Sequence, residues 1–144
     1  MLKEIVMNFT RVISVIPLFS VVVLLYLLMA YLFEVNFQLG AEPLFTMSLP
    51  SDAKWEPTWS GIFILFGVIA LFFEIVKSTK TGTATIVEHA LSMLVFIACL
   101  MLFLFVQKAG TSTFLIITLM SLLDVVAGFN ITIASARRDF SMGG

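Results

Sequence analysis

Long stretches of apolar residues, separated by short polar segments, dominate the chain. A transmembrane helix needs about 20 mainly apolar residues, and the stretches here reach that length with very few charges. The pattern predicts an all-α, polytopic membrane protein, a bundle of four transmembrane helices in one domain covering residues 1–144. The predicted spans are residues 12–33, 59–76, 86–106 and 112–136.

The first apolar stretch, residues 12–33, contains no charged side chain. The apolar region of a secretory signal peptide is shorter and precedes a small-residue cleavage site, and no such site follows this stretch. We therefore expect a retained helix. Pro17 lacks an amide hydrogen and is predicted to bend this helix near its start.

An outer loop, residues 34–58, interrupts the apolar pattern with prolines and acidic residues. Within it, Phe45, Met47 and Leu49 alternate with polar residues, which is the period of a strand. The segment PSDA that follows, residues 50–53, is typical of a turn. The loop is therefore predicted to contain a small hairpin.

Capping residues predict where two of the helices begin. Thr58 is predicted to be the N-cap of the second span, and Trp55 and Trp59 stand where the chain re-enters the membrane, as an aromatic belt would. For the third span, Thr85 and Glu88 match the capping box, in which each side chain satisfies a free backbone N–H of the other.

Composition supports a membrane protein. Hydrophobic residues make up 60% of the chain and charged residues 12%, with a mean hydropathy of +1.12. Soluble domains are about 45–50% apolar and about 25% charged. The net charge of -1 gives no reason to expect a nucleic-acid partner. The lipid bilayer is the partner that the composition predicts.

The basic residues predict the orientation, because cytoplasmic loops carry an excess of Lys and Arg. With both termini in the cytoplasm, the inner side holds most of the eight Lys and Arg residues. Those residues are Lys3, Arg11, Lys77, Lys80, Arg137 and Arg138. Only Lys54 and Lys108 are then placed outside.

Asp124 is the one charged residue within the fourth span. Burying an ionisable group at the bilayer centre costs at least about 2.5–3.5 kcal/mol on insertion scales, so it should face protein or water. A stripe of small and polar residues supports this: Thr118, Ser121, Asp124, Gly128, Thr132 and Ser135, with Phe114, Leu115, Leu119, Leu122 and Val126 opposite. Two interpretations follow. Asp124 is a proton or cation site, or it is a protonated or hydrogen-bonded carboxyl group that fixes helix packing or docks a partner subunit.

A second set of ionisable residues is expected near the cytoplasmic ends of the helices: Glu74, Glu88, His89 and Arg137. They could form a proton-entry cluster or a metal site. Alternatively, Glu88 caps a helix and the others form interfacial ion pairs. No metal site is predicted, because the chain has one His and no Cys at ligand spacing.

No catalytic residue and no cofactor are predicted. Cys99 is the only cysteine, so an internal disulfide is excluded, and its place in an apolar run indicates a buried small side chain. The polar turn KSTKTGT lacks the spacing of a phosphate-binding loop.

Three segments resemble those of small four-span bacterial inner-membrane proteins of unknown function: WEPTWSGIFILFG, IVEHALSMLVF and STFLIITLMSLLDVVAGFNITIASARRDF. The resemblance implies the four-span topology and the bacterial inner (cytoplasmic) membrane, and it implies no catalytic residue. Four-helix transporters of similar size place their essential carboxylate in the first span, which has no charge here.

We therefore expect a non-enzymatic integral membrane protein that acts as an accessory or interaction subunit. Its helices carry faces of Gly, Ala, Ser and Thr, which suit association with other membrane subunits or in a homo-oligomer. The alternative is a small proton- or ion-coupled carrier that uses the intramembrane carboxylate of Asp124.

Overall fold

The computed structural model describes residues 16–79 and 83–141, and this part of the chain is mainly helical. Its helices are α1 (Leu18–Leu32), α2 (Trp59–Ser78), α3 (Thr83–Phe105) and α4 (Ser112–Ser141), and a short 3₁₀ turn, Gln107–Ala109, joins α3 to α4.

Three of these helices are long and apolar enough to cross a membrane, over Trp59–Ser78, Ile86–Phe105 and Ser112–Ala134. The fourth, α1, is equally apolar but has only 15 residues. The helical fold class is confirmed in this form, whereas a count of four spans stays a prediction.

Helix α1 begins later than the sequence predicts. Pro17 precedes it in an extended conformation, with ψ at 133°. Proline is tolerated at a helix start, where its missing amide hydrogen breaks no helical bond. Pro17 therefore stands at the start of the described helix instead of bending its interior. Residues 12–15 of the predicted span lie outside the described residues.

The predicted hairpin is confirmed. Strand β1 (Met47–Ser48) pairs antiparallel with β2 (Lys54–Trp55), so that Met47 faces Trp55 and Ser48 faces Lys54. The Leu49 amide donates to the Ala53 carbonyl at 2.9 Å and closes the turn.

One of the two capping predictions is confirmed. The Thr58 hydroxyl accepts from the Gly61 amide at 3.2 Å at the start of α2. The capping box predicted for α3 is wrong, because that helix already begins at Thr83. Glu88 therefore lies inside the helix, where the backbone amides have helical partners.

Helix α4 lies at the centre of the bundle, in contact with both α2 and α3, while α1 packs mainly on α2. Tyr26 is fully buried in an aromatic cluster, with ring centroids 4.2 Å from Phe37, 5.7 Å from Phe63 and 4.8 Å from Phe114. The placement of Phe114 opposite the polar stripe is wrong. Phe114 precedes Thr118 by one helical turn, so the two share the buried face.

Hydrogen bonds tie the end of the outer loop near α1 to the bundle. The hydroxyls of Ser60 and Thr113 both donate to the Phe37 carbonyl, at 3.0 Å and 2.7 Å. Lys108 donates to the Ala30 carbonyl at 2.8 Å, at the end of α1 where carbonyls lack helical partners. These bonds fix the predicted outer ends of the helices relative to one another.

The outward faces of the helices carry large apolar side chains that nothing in the described part of the chain covers. Five of them, at least 60% exposed, are Leu24, Leu65, Phe72, Leu94 and Leu104. A surface of this kind is unsuited to water and suits lipid or other membrane proteins.

Candidate functional site

Four residues of the polar stripe of α4 are buried as predicted, Thr118, Ser121, Asp124 and Gly128, and Thr132 is half-buried. Asp124 is 5% exposed, and Thr118 and Ser121 are more deeply buried. Thr118 donates to the Phe114 carbonyl at 2.9 Å, and Ser121 donates to the Thr118 carbonyl at 2.7 Å. Because each hydroxyl donates its single proton to a carbonyl of its own helix, neither is a donor to Asp124.

The neighbours of Asp124 come from other helices. The side chain of Ser92 on α3 interacts with its carboxyl group, and Glu74 and Lys77 on α2 are close enough to act on it electrostatically. Asp124 therefore sits where three helices meet. Ser92 was not predicted from the sequence as a site residue, although it follows the buried His89 by three residues and so shares its helix face.

Glu74 connects α2 to the start of α1. One of its carboxylate oxygens accepts the Leu18 amide, and the other lies 3.5 Å from the Lys77 ammonium. The Lys77 ammonium also lies 3.4 Å from the Ile16 carbonyl. The first amides of a helix lack helical acceptors and carry partial positive charge, which favours a carboxylate there. Glu74 thus caps a neighbouring helix.

Substitution of Glu74 tests this cap. We expect Glu74→Ala to cost about 0.5–2 kcal/mol, the usual effect of losing an N-cap acceptor. Glu74→Gln keeps an acceptor for Leu18 and should lose less. Thermal unfolding in detergent measures both variants. Equal loss in the two would mean that charge, and not the bond to Leu18, is what Glu74 contributes.

His89 forms a hydrogen bond with α4. Its Nε2 lies 2.8 Å from the Thr132 hydroxyl, which itself donates to the Gly128 carbonyl at 3.0 Å. Since that hydroxyl has one proton, it accepts from His89, and the ring carries hydrogen on Nε2. The ring rests against Gly128, where any side chain would collide with it.

The predicted cytoplasmic-end cluster is divided between these contacts. Glu74 binds the Leu18 amide of α1 and pairs with Lys77, whereas His89 forms a hydrogen bond with Thr132. Glu88 is half-buried and the Arg137 side chain is exposed. Among the described residues the only ion pair is Glu74 with Lys77, and no three His, Cys, Asp or Glu side chains could hold a metal. A shared function for these four residues stays a prediction, because those with contacts in the described residues have different partners.

The arrangement around Asp124 can do two things chemically. A carboxyl group held between helices by polar side chains can join those helices, because lipid offers no alternative partners. A buried carboxyl group on which Glu74 acts electrostatically can also take up and release a proton. Among the side chains that the structure describes, no fully buried nitrogen or oxygen lacks a hydrogen-bond partner.

Comparisons with protein-family models, with curated proteins and with solved structures found no match. The resemblance to small four-span bacterial membrane proteins therefore stays a prediction.

Proposed function

We propose that this chain is a non-enzymatic integral protein of the bacterial inner membrane that acts as an accessory or interaction subunit. The observation that supports this role is the burial of Asp124 among α2, α3 and α4, with polar neighbours supplied by the chain itself. Placing the Asp124 carboxyl group in the membrane is energetically costly, and a role in helix packing explains its presence without a substrate.

We assign the uncovered side of helix α3 to contact with a partner subunit or a second copy of the chain. It has the smallest buried share of the three candidate spans. Its uncovered side includes the small residues Ala90 and Ala98 beside Leu94 and Met101. Small residues let a neighbouring helix approach closely, and the resulting van der Waals packing favours helix association in lipid.

Purification in mild detergent followed by mass spectrometry tests this assignment. We expect a membrane protein, or a second copy of the chain, to co-purify with the wild type. Ala98→Trp should reduce that co-purification several-fold, because a large side chain holds the partner helix away. The matched control is Ile69→Trp on the exposed face of α2, which should leave it unchanged. Equal effects of the two variants would contradict the assignment to α3.

The proposed topology has four spans and both termini in the cytoplasm. Reporter fusions at Lys80 and Gly144 should then report the cytoplasm, and a fusion at Asp52 in the turn of the hairpin should report the outer side. A cytoplasmic signal at Asp52 would contradict the four-span arrangement.

A proton- or ion-coupled carrier is the second candidate, and it draws support from the burial of Asp124 and from the electrostatic effect of Glu74 on it. A carrier needs a carboxyl group that water reaches from one side and that gains and loses a proton or cation. An accessory subunit needs only a permanent contact. Substitution of Asp124, treated in the Discussion, separates the two.

A further inference from the structure

The hairpin of the outer loop is amphipathic. Because alternate residues of a strand point to opposite faces, Phe45, Met47 and Leu49 share one side, and the strand register adds Trp55 to it. The Phe45 and Trp55 rings contact each other edge to face, with centroids 5.8 Å apart. Nothing in the described part of the chain covers this apolar face, since all four side chains are exposed.

The opposite face of the hairpin is polar. It carries Ser48 and Lys54 as a cross-strand pair, and Thr46 donates to the Glu56 carboxylate at 3.3 Å. The two faces therefore suit two different surroundings, one apolar and one aqueous.

The apolar face is continuous with the outer surface of α2. A cavity of about 310 Å³ lies between Phe45 and Trp55 on the hairpin side and Ile62 and Leu65 on the helix side. The Leu44 amide donates to the Pro57 carbonyl at 2.8 Å and holds the loop against the start of the helix. Both Ile62 and Leu65 are exposed on the side of α2 that faces away from the bundle.

We propose that the hairpin lies on the outer leaflet with its apolar face in the lipid, and that the acyl chain of a phospholipid fills the cavity against α2. This inference rests on the proposed membrane placement of the chain. Aromatic side chains prefer the headgroup level, and apolar side chains beside them gain from burial in the acyl boundary.

The charges of the loop indicate which lipids it accepts. Its acidic residues, Glu34, Glu42, Asp52 and Glu56, outnumber its one basic residue, Lys54. A surface of this sign repels anionic headgroups, so insertion depends on apolar contact and favours zwitterionic lipids. Because insertion of the hairpin then depends on apolar contact, raising the salt concentration should leave the depth of insertion unchanged.

Single cysteines carrying an environment-sensitive fluorophore test the inference on the full chain in phosphatidylcholine vesicles, at low protein density and in a Cys99→Ala background. Met47→Cys and Ser48→Cys are neighbours on opposite faces of one strand. We expect the label at position 47 to emit at shorter wavelength and to be quenched several-fold more by acyl-chain bromines near the headgroups. The label at position 48 should report water.

Leu65→Cys supplies the control for membrane placement, because it lies on the exposed face of α2. Quenching at position 65 without quenching at position 47 would overturn the hairpin inference and leave the membrane placement intact. A label at position 47 that is shielded from water but not quenched by bromolipid would also overturn it, because protein would then cover the face. Absence of bromolipid quenching at both positions 47 and 65 would contradict the membrane placement itself.

Discussion

Gly128→Ala should destabilise the protein by about 1–3 kcal/mol, the usual cost of forcing extra atoms into a packed core. An added Cβ would lie 2.5 Å from Nδ1 of His89 and closer still to Cε1, inside the distance that real Cβ atoms keep. The ring cannot swing away freely, because its Nε2 is bonded to Thr132 on the same helix as Gly128. The helix pair α3 and α4 must therefore separate, or this bond must break.

Thermal unfolding in detergent measures the effect, with Gly61→Ala as the matched control. Gly61 is also helical, but the nearest atom to its added Cβ is the Thr58 hydroxyl at 3.8 Å, which is an ordinary contact. Alanine favours a helix more than glycine does, so this variant should be neutral or slightly stabilising. A stable Gly128→Ala protein would contradict the close packing of the His89 ring on Gly128.

A second substitution identifies the cause. His89→Ala removes the ring that the new methyl group meets, so the double variant should lose less than the two single losses added together. Contacting residues show such coupling, typically about 0.5–3 kcal/mol. Strict additivity would mean that Gly128 is needed for a reason other than His89.

Asp124→Leu should lower stability by about 0.6–2 kcal/mol, the range found for hydrogen bonds between membrane helices. Leucine loses the polar contact with Ser92 and has no carboxyl group on which Glu74 and Lys77 can act electrostatically. Asp124→Asn has almost the same shape and still forms hydrogen bonds, so it should be nearly silent if the role is packing. Leu123→Ala, next in sequence on the exposed face, controls for a change at this depth of α4.

Membrane abundance, thermal unfolding and co-purifying partners should be recorded for these variants. Loss of assembly in Asp124→Asn would tell against a contact that needs only a hydrogen bond. Full stability and unchanged partners in Asp124→Leu would remove the packing role. A carrier predicts a different pattern, in which Asp124→Asn assembles normally but abolishes transport, because an amide does not exchange a proton as a carboxyl group does.

Elements that depend on neighbouring residues were predictable from the sequence alone. The helical stretches, the cap at Thr58 and the hairpin after Phe45 follow from hydrophobic period, a side-chain acceptor and turn residues, all read within a few positions. The burial of Thr118, Ser121 and Asp124 was also predictable, because a polar stripe on an apolar helix has to avoid lipid. Helix ends were less accurate, as at Pro17 and Thr83, since several adjacent residues can start a helix.

Only the tertiary structure decided which side chains meet. The Leu18 amide and the Glu74 carboxylate are 56 positions apart, and no local pattern pairs a helix start with an acid on another helix. The contact of His89 with Gly128, and of Asp124 with Ser92, depends on the rotation and depth of α3 against α4. The sequence therefore determined which residues need a partner, and the packing of the helices determined which partner each residue has.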